Sequence, residues 1–220
     1  MYISNLIPLF TAKQTKEDAI EMEKYMRDKF PFLGIRAPER KVILRDFYQE
    51  SNILKEPFQV DFVASLWEQA AREYQYAGVD YIERSLKKLE KEHLLLMEKL
   101  IITKSWWDTV DLLAQKAVGK IAKDHPEVIP ETIEGWATSD NIWLQRTAIL
   151  FQLKNKGNTD EELLYHYIQL HNDSNEFFIQ KAIGWALREY SKTNPASVKR
   201  FIENNELAKL SVREGSKYLD

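Results

Sequence analysis

Apolar residues recur along most of the chain at spacings of three and four positions, which is the period of an amphipathic α-helix. The clearest run follows Ser105 and contains Trp106, Val110, Leu113, Ala117 and Ile121. Proline at a first helical position, as at Ala37-Pro38 and Asn194-Pro195, marks further helix starts. No alternating pattern of useful length predicts a β-strand. The pattern therefore predicts an all-α protein.

N-capping residues mark where several of the predicted helices begin. The first follows Thr15, and a later one follows Ser105, which forms a capping box with Asp108. Asp140, Thr159 and Asn194 are predicted to cap three more.

An internal repeat runs through these helices. The segments Ser105–Asp111, Ser139–Arg146 and Ser174–Lys181 align without gaps, with the serines 34 and then 35 residues apart. Gln75, 36 residues before Asp111, belongs to a fainter copy. A repeat of about 35 residues with two helices predicts a HEAT-like solenoid, here a single domain over residues 1–220 with its repeats clearest over 104–190. Its concave face is the predicted DNA-binding surface, approached by Asp111, Arg146 and Lys181.

The amino-acid composition excludes several kinds of functional site. The chain has no cysteine, which excludes disulfides and thiolate metal sites, and its four histidines show no ligand spacing, so we expect no metal. No glycine-rich phosphate loop is present, and we expect no cofactor. No apolar stretch is long enough to span a bilayer and no secretory signal begins the chain, so the predicted location is cytoplasmic.

Charge is unevenly distributed in a chain whose formal net charge is −3. Residues 27–45 hold six basic residues against two acidic ones. A globally acidic protein with one basic face is compatible with a nucleic-acid partner. A surface of solvated, salt-bridged helices produces similar local imbalances.

Trp107 and Asp111 lie four residues apart, off the buried stripe of their helix, and are therefore neighbours on another face. An aromatic ring and a carboxylate both attract cations. The alternative interpretation is a second packed ring beside a solvated charge.

A basic row follows Ser174. Lys181, Trp185, Arg188 and Lys192 recur at spacings of four, three and four beside the apolar sector of that helix. Cations around an aromatic ring are suited to phosphate and ring contacts with a nucleotide. Alternatively, Trp185 packs between repeats while the basic side chains cover its edge.

Together these positions predict a groove with two aromatic walls, one carboxylate and flanking cations. An alkylated purine is cationic, unlike undamaged DNA, and breaking its N-glycosidic bond develops oxocarbenium charge on the sugar. A fixed carboxylate stabilises that charge and positions the attacking water. The hypothesis requires that Asp111 face the two indoles and not be sealed in the interior with a permanent partner.

Four segments carry a family resemblance: Phe32–Arg40, Lys104–Asp111, Ser139–Arg146 and Phe177–Tyr190. They resemble the bacterial DNA alkylation repair glycosylases built from HEAT-like repeats, the alkylpurine glycosylase D family. The resemblance implies a monofunctional glycosylase that releases 3-methyladenine and 7-methylguanine from duplex DNA without a deep base-flipping pocket. Asp111 matches the catalytic carboxylate, Trp107 and Trp185 the cleft tryptophans, and Arg146 the cleft arginine.

The resemblance also implies DNA contacts. Tyr25 matches a tyrosine near the lesion, and the backbone contacts correspond to Lys41, Lys154, Arg188 and Lys192. Arg36, in the first matching segment, and Lys181, in the basic row, complete the predicted DNA-binding set. We expect a monomer whose partner is duplex DNA containing alkylated purines.

Two other functions remain open at this point: a non-catalytic binder of bent or branched DNA, and a helical-repeat scaffold for protein partners.

Overall fold

The computed structural model describes residues 2–219, and all regular structure in that range is helical, as predicted. The fourteen α-helices of these residues are α1 Tyr2–Thr11, α2 Lys16–Tyr25, α3 Ala37–Ser51, α4 Val60–Glu68, α5 Arg72–Arg84, α6 Leu94–Ile102, α7 Trp107–Leu112, α8 Gly119–Asp124, α9 Glu134–Ala137, α10 Ile142–Leu150, α11 Glu161–Gln169, α12 Phe177–Ser191, α13 Pro195–Asn204 and α14 Lys209–Gly215. Two π-helical turns, Leu113–Val118 and Ile129–Ile133, precede α8 and α9.

Contacts divide the chain into two compact units, Met1–Leu89 and Glu90–Asp220. A single domain over residues 1–220 stays a prediction. Across residues 2–219, none of the helices combines the length and the apolar character needed to cross a membrane.

In the first unit, Glu73 of α5 holds the loop between α2 and α3. Its carboxylate accepts the backbone N–H groups of Leu33, Gly34 and Ile35 at 2.9–3.1 Å. Gly34 has a φ of +86°, and a Cβ added there would lie 2.0 Å from the carbonyl oxygen of Thr15, so no other residue fits without a backbone shift. Much of the Phe32–Arg40 segment therefore has a structural task, which is to fix the backbone just before α3.

In the second unit, side-chain hydrogen bonds join residues about one repeat apart. They connect Arg146 with Asp111, 35 residues earlier, Lys154 with Glu189, 35 residues later, and Lys181 with Glu214, 33 residues later. Helix α10 packs against both α7 and α12, and α12 packs against α14. Helices one repeat apart are therefore neighbours in space, in agreement with the period found in the sequence.

Helix α1 was not predicted. It contains Pro8 in its interior, where the missing N–H removes one helical hydrogen bond. Leu6 and Phe10, four residues apart, are nevertheless fully buried in the first unit, and the Phe10 ring lies 5.2 Å from that of Tyr74. Burial of these two side chains offsets the cost of the proline.

Two predicted helix caps were wrong by one residue. Asn141, rather than Asp140, caps α10 by accepting two backbone N–H groups, and Asp160, rather than Thr159, caps α11. The prediction that Asn194 caps α13 is confirmed. Adjacent residues of the same capping class are both favoured at an N-cap, so residue type alone does not distinguish them.

Candidate functional site

Helix α7 carries the central carboxylate and begins differently from the prediction. Trp106, in extended conformation, is the N-cap and Trp107 is the first helical residue. The Ser105 hydroxyl does not form the expected capping box, because it donates 2.6 Å to the carbonyl of Ile101 at the end of α6. Trp107 and Asp111 are still separated by one helical turn, so the predicted spacing on the helix is retained.

A π-helical turn, Leu113–Val118, follows α7 directly and leads into α8. Such turns are uncommon and occur often at functional sites. Sequence reasoning missed this one because Val110, Leu113 and Ala117, all buried here, have spacings of three and four that also fit an α-helix.

The structure joins two of the predicted site residues in an ion pair. Arg146 of α10 donates from Nε to Oδ1 of Asp111 at 2.7 Å and from Nη2 to Oδ2 at 2.8 Å. Its Nη1 donates to the carbonyl of Phe178. The side chains of Asp111 and Arg146 are 11% and 5% exposed. Asp111 is therefore buried against a fixed partner, which goes against the requirement that it not be sealed in the interior, although 11% of its side chain still reaches the surface.

Burial raises the pKa of Asp111, and the hydrogen bonds and charge of Arg146 oppose that rise without cancelling it. Both carboxylate oxygens accept from the guanidinium, which is the arrangement expected of an ionised carboxylate. A carboxylate has about four lone-pair positions, and the bidentate contact occupies two of them. The guanidinium therefore leaves two lone-pair positions of the carboxylate unused.

The repeat offers an internal comparison for this position. Gln75, Gln145 and Gln180 each donate from Nε2 to the backbone carbonyl six residues earlier, at 3.0, 2.6 and 2.9 Å. Asp111 occupies the equivalent position, 36 residues after Gln75 and 34 before Gln145. Arg146 and Lys181 each lie one position later in their copies, which corrects the expectation that they align with Asp111. A carboxylate has no N–H group, so Asp111 cannot make the bond of the three glutamines.

Three tryptophans near the predicted site are half-buried. Trp106 packs against Trp143 and Phe178, with ring centroids 5.7 and 4.9 Å away, but it is not fully buried, so the predicted buried stripe of its helix is confirmed only from Val110 onward. Trp107 at the start of α7 and Trp185 in the middle of α12 are half-buried. That Asp111 lies between these two indoles stays a prediction.

Four predicted DNA-binding cations of the second unit share two carboxylates. Glu189 accepts hydrogen bonds from Lys154 at 3.1 Å and from Lys192 at 2.5 Å. Glu214 accepts from Lys181 and Arg188, both at 3.2 Å. Sequence reasoning missed both glutamates. Glu189 directly follows Arg188 of the basic row, and Glu214 lies in the last helix, which has no counterpart among the aligned segments.

The remaining predicted contacts lie in the first unit. Tyr25, at the end of α2, is 73% exposed and lines a groove of about 380 Å³ together with Arg36 and Tyr76. Arg36 donates to the carboxylates of Asp18 and Glu21, both at 2.6 Å. Lys41 is exposed on α3.

Comparisons with known proteins agree with this fold. The family model described as DNA alkylation repair enzyme matches residues 7–219. A solved structure of a predicted DNA alkylation repair enzyme from Enterococcus faecalis is 35% identical, with a TM-score of 0.86, over 94% of this chain and 96% of the other. Among the curated proteins, none matches the chain.

Proposed function

We propose a specific activity from one premise: the chain belongs to the DNA alkylation repair enzyme family, which gives it a role in DNA repair. Within that role we propose a monofunctional DNA glycosylase. It hydrolyses the N-glycosidic bond of cationic alkylated purines, such as 3-methyladenine and 7-methylguanine, in duplex DNA.

The observation that carries this proposal is the residue at position 111. Three equivalent positions of the chain hold a glutamine whose side-chain amide donates to the backbone carbonyl six residues earlier. The fourth holds an aspartate whose carboxylate is held by Arg146 instead. A negative charge fixed before the reaction stabilises positive charge that develops on the deoxyribose, at no cost of reorganisation. The departing base is already cationic and leaves as a neutral purine.

Arg146 limits this electrostatic effect and also makes it possible. Its positive charge cancels part of the field of Asp111, but an unpaired carboxylate with this little exposure would be protonated or would turn towards solvent. The bidentate contact fixes the carboxylate plane and leaves two of its lone-pair positions unused by the guanidinium. One of them can accept a hydrogen bond from the attacking water.

The other predicted residues bind DNA in this proposal. Half-buried Trp107 and Trp185 contact the damaged nucleotide by their ring faces. Backbone phosphates are bound by the cations paired with Glu189 and Glu214. Tyr25, Arg36 and Lys41 add contacts from the first unit, so that affinity comes from sugar and phosphate more than from a base pocket.

The same ion pair favours one second candidate. A buried Asp111–Arg146 pair is also what a structural contact between α7 and α10 looks like, and in that case the chain binds damaged or bent DNA without cleaving it.

The test of the proposed function is product release. Purified protein is incubated with methylated duplex DNA, and free purines are separated and quantified. We expect release of 3-methyladenine and 7-methylguanine, an intact sugar-phosphate backbone, and no release from unmethylated duplex. Binding of both duplexes without any free base would favour the non-catalytic binder.

The proposed phosphate contacts predict a salt effect. Lys154→Gln is expected to weaken duplex binding and to lower the slope of log K against log salt by about 1, because one fewer counterion is released. The measurement is fluorescence anisotropy over a salt series. Lys99→Gln is the control, since Lys99 is an exposed lysine of α6 that shares neither Glu189 nor Glu214. Equal slopes for the two variants would remove Lys154 from the DNA interface.

A further inference from the structure

Glu214 of α14 pairs with basic side chains from α12 and from the turn that follows α14. Glu214 is 7% exposed. Its Oε1 accepts a hydrogen bond from Lys181 at 3.2 Å, and its Oε2 accepts hydrogen bonds from Arg188 at 3.2 Å and from Lys217 at 2.8 Å. Hydrogen bonds from Lys217 and Lys181 lower the pKa of Glu214 to about 2. The carboxylate is therefore ionised throughout the range in which duplex DNA is stable.

A glycine makes this contact possible. Gly184 lies on α12 between Lys181 and Arg188, and a Cβ added there would stand 2.5 Å from the Cβ of Glu214. The Ser211 hydroxyl, one turn earlier on α14, donates to the carbonyl of Gln180 at 3.0 Å. Helix α14 therefore packs into a notch of α12, with the Glu214 stem between the two cations.

Lys181 and Arg188 keep outward-facing surface in this arrangement. Their side chains are 38% and 27% exposed, whereas the Glu214 side chain is 10% exposed. They are seven residues apart, which places them about 10 Å apart along the axis of α12. The carboxylate thus holds two cations while part of each basic side chain stays exposed.

We propose that Glu214 is a positioning residue for DNA binding, which presets Lys181 and Arg188 to receive backbone phosphates. Long basic side chains lose rotamer freedom when they bind, and a pair that is already held in place loses less. The inference rests on the proposed function only in taking duplex DNA as the ligand. It does not require that the base be cleaved.

Glu214→Gln separates three possible roles, because it keeps the shape of the side chain and removes its charge. If Glu214 positions the cations, the variant binds DNA more weakly although the protein gains positive charge. If Glu214 only offsets charge, the variant binds DNA more tightly. If Glu214 only supports packing, stability falls and the affinity of the folded protein stays the same.

The experiment is a double-mutant cycle in equilibrium binding to methylated duplex. We expect Glu214→Gln to weaken binding about fivefold. The variant with both Lys181→Met and Arg188→Met should itself bind DNA more weakly. Adding Glu214→Gln to it should not lower the affinity further, because the residues through which Glu214 acts are gone. Equal or tighter binding by Glu214→Gln, or the same fivefold loss in the double-methionine background, would overturn the proposal.

Ser211→Ala is the matched control, since it removes a hydrogen bond between α14 and α12 and leaves all the cations in place. Its affinity should equal that of the wild type, with the folded fraction of every variant checked by thermal unfolding. A loss of affinity equal to that of Glu214→Gln would show that the contact between α14 and α12, rather than the Glu214 charge, sets the affinity, and would contradict the proposal. Base release is assayed separately. If the protein releases no base but the binding measurements come out as expected, the proposed glycosylase activity is rejected and the proposed role of Glu214 is retained.

Discussion

Asp111→Asn is expected to slow the release of methylated purines by about a hundredfold or more, which corresponds to roughly 3 kcal/mol of transition-state stabilisation. The substitution keeps the size of the side chain and removes the negative charge that opposes the oxocarbenium charge of the sugar. The measurement is the single-turnover rate of base release at saturating protein, so that binding does not limit the rate.

Affinity for duplex DNA should change little in this variant, because the proposed phosphate contacts come from other residues. The buried guanidinium of Arg146 loses its anionic partner, so thermal unfolding must confirm that the variant is folded at the assay temperature. Asp111→Gln is a second variant in case the first unfolds, since glutamine occupies the three equivalent repeat positions. The control is Asp140→Asn, an exposed aspartate before α10.

A wild-type rate for Asp111→Asn would show that the carboxylate is structural. If the wild-type protein itself releases no base, the non-catalytic binder gains support.

The sequence predicted the helical class and the repeat because both depend on local periodicity. Spacing within one helix also placed Asp111 and Trp107 one turn apart, but it wrongly set Asp111 off the buried face, since Asp111 is 8% exposed. It did not predict that Arg146 would bind Asp111. The two residues are 35 positions apart, and periodicity states which face of a helix a residue occupies without stating which side chains of the next helix meet it.

The segment Phe32–Arg40 shows a related limit of prediction from the sequence. Its resemblance to a repair family led us to place Arg36 among the DNA contacts, whereas in the structure Arg36 also pairs with Asp18 and Glu21. The backbone of the same segment is held by Glu73, a residue about 40 positions later. A motif that recurs in a family therefore combines folding and binding requirements, and only coordinates separate them.

Arg146→Met provides the sharpest test of what the arginine does. Removing one partner of a buried ion pair leaves the other uncompensated, and we expect a loss of about 3 kcal/mol in the free energy of unfolding, measured by denaturant titration. The pKa of Asp111, already raised by burial, should rise further because the hydrogen bonds that oppose the rise are lost. If Asp111 must be ionised to act, then on acidification the variant loses its activity at a higher pH than the wild type does.

The pH profile distinguishes this role from the DNA contact predicted from the sequence. If Arg146 positions Asp111, the acidic limb of the single-turnover rate shifts to higher pH in Arg146→Met, and part of the lost rate returns as the pH is raised. If Arg146 binds a phosphate instead, the affinity of Arg146→Met for DNA falls and the slope of log K against log salt is lower by about 1. The acidic limb of its rate profile then stays where it is in the wild type. Arg146→Lys is the matched variant: it keeps the positive charge but cannot make the bidentate contact, so it should fall between the methionine variant and the wild type in stability and in limb position. A lysine variant indistinguishable from methionine in both would show that charge without bidentate geometry contributes nothing at this site.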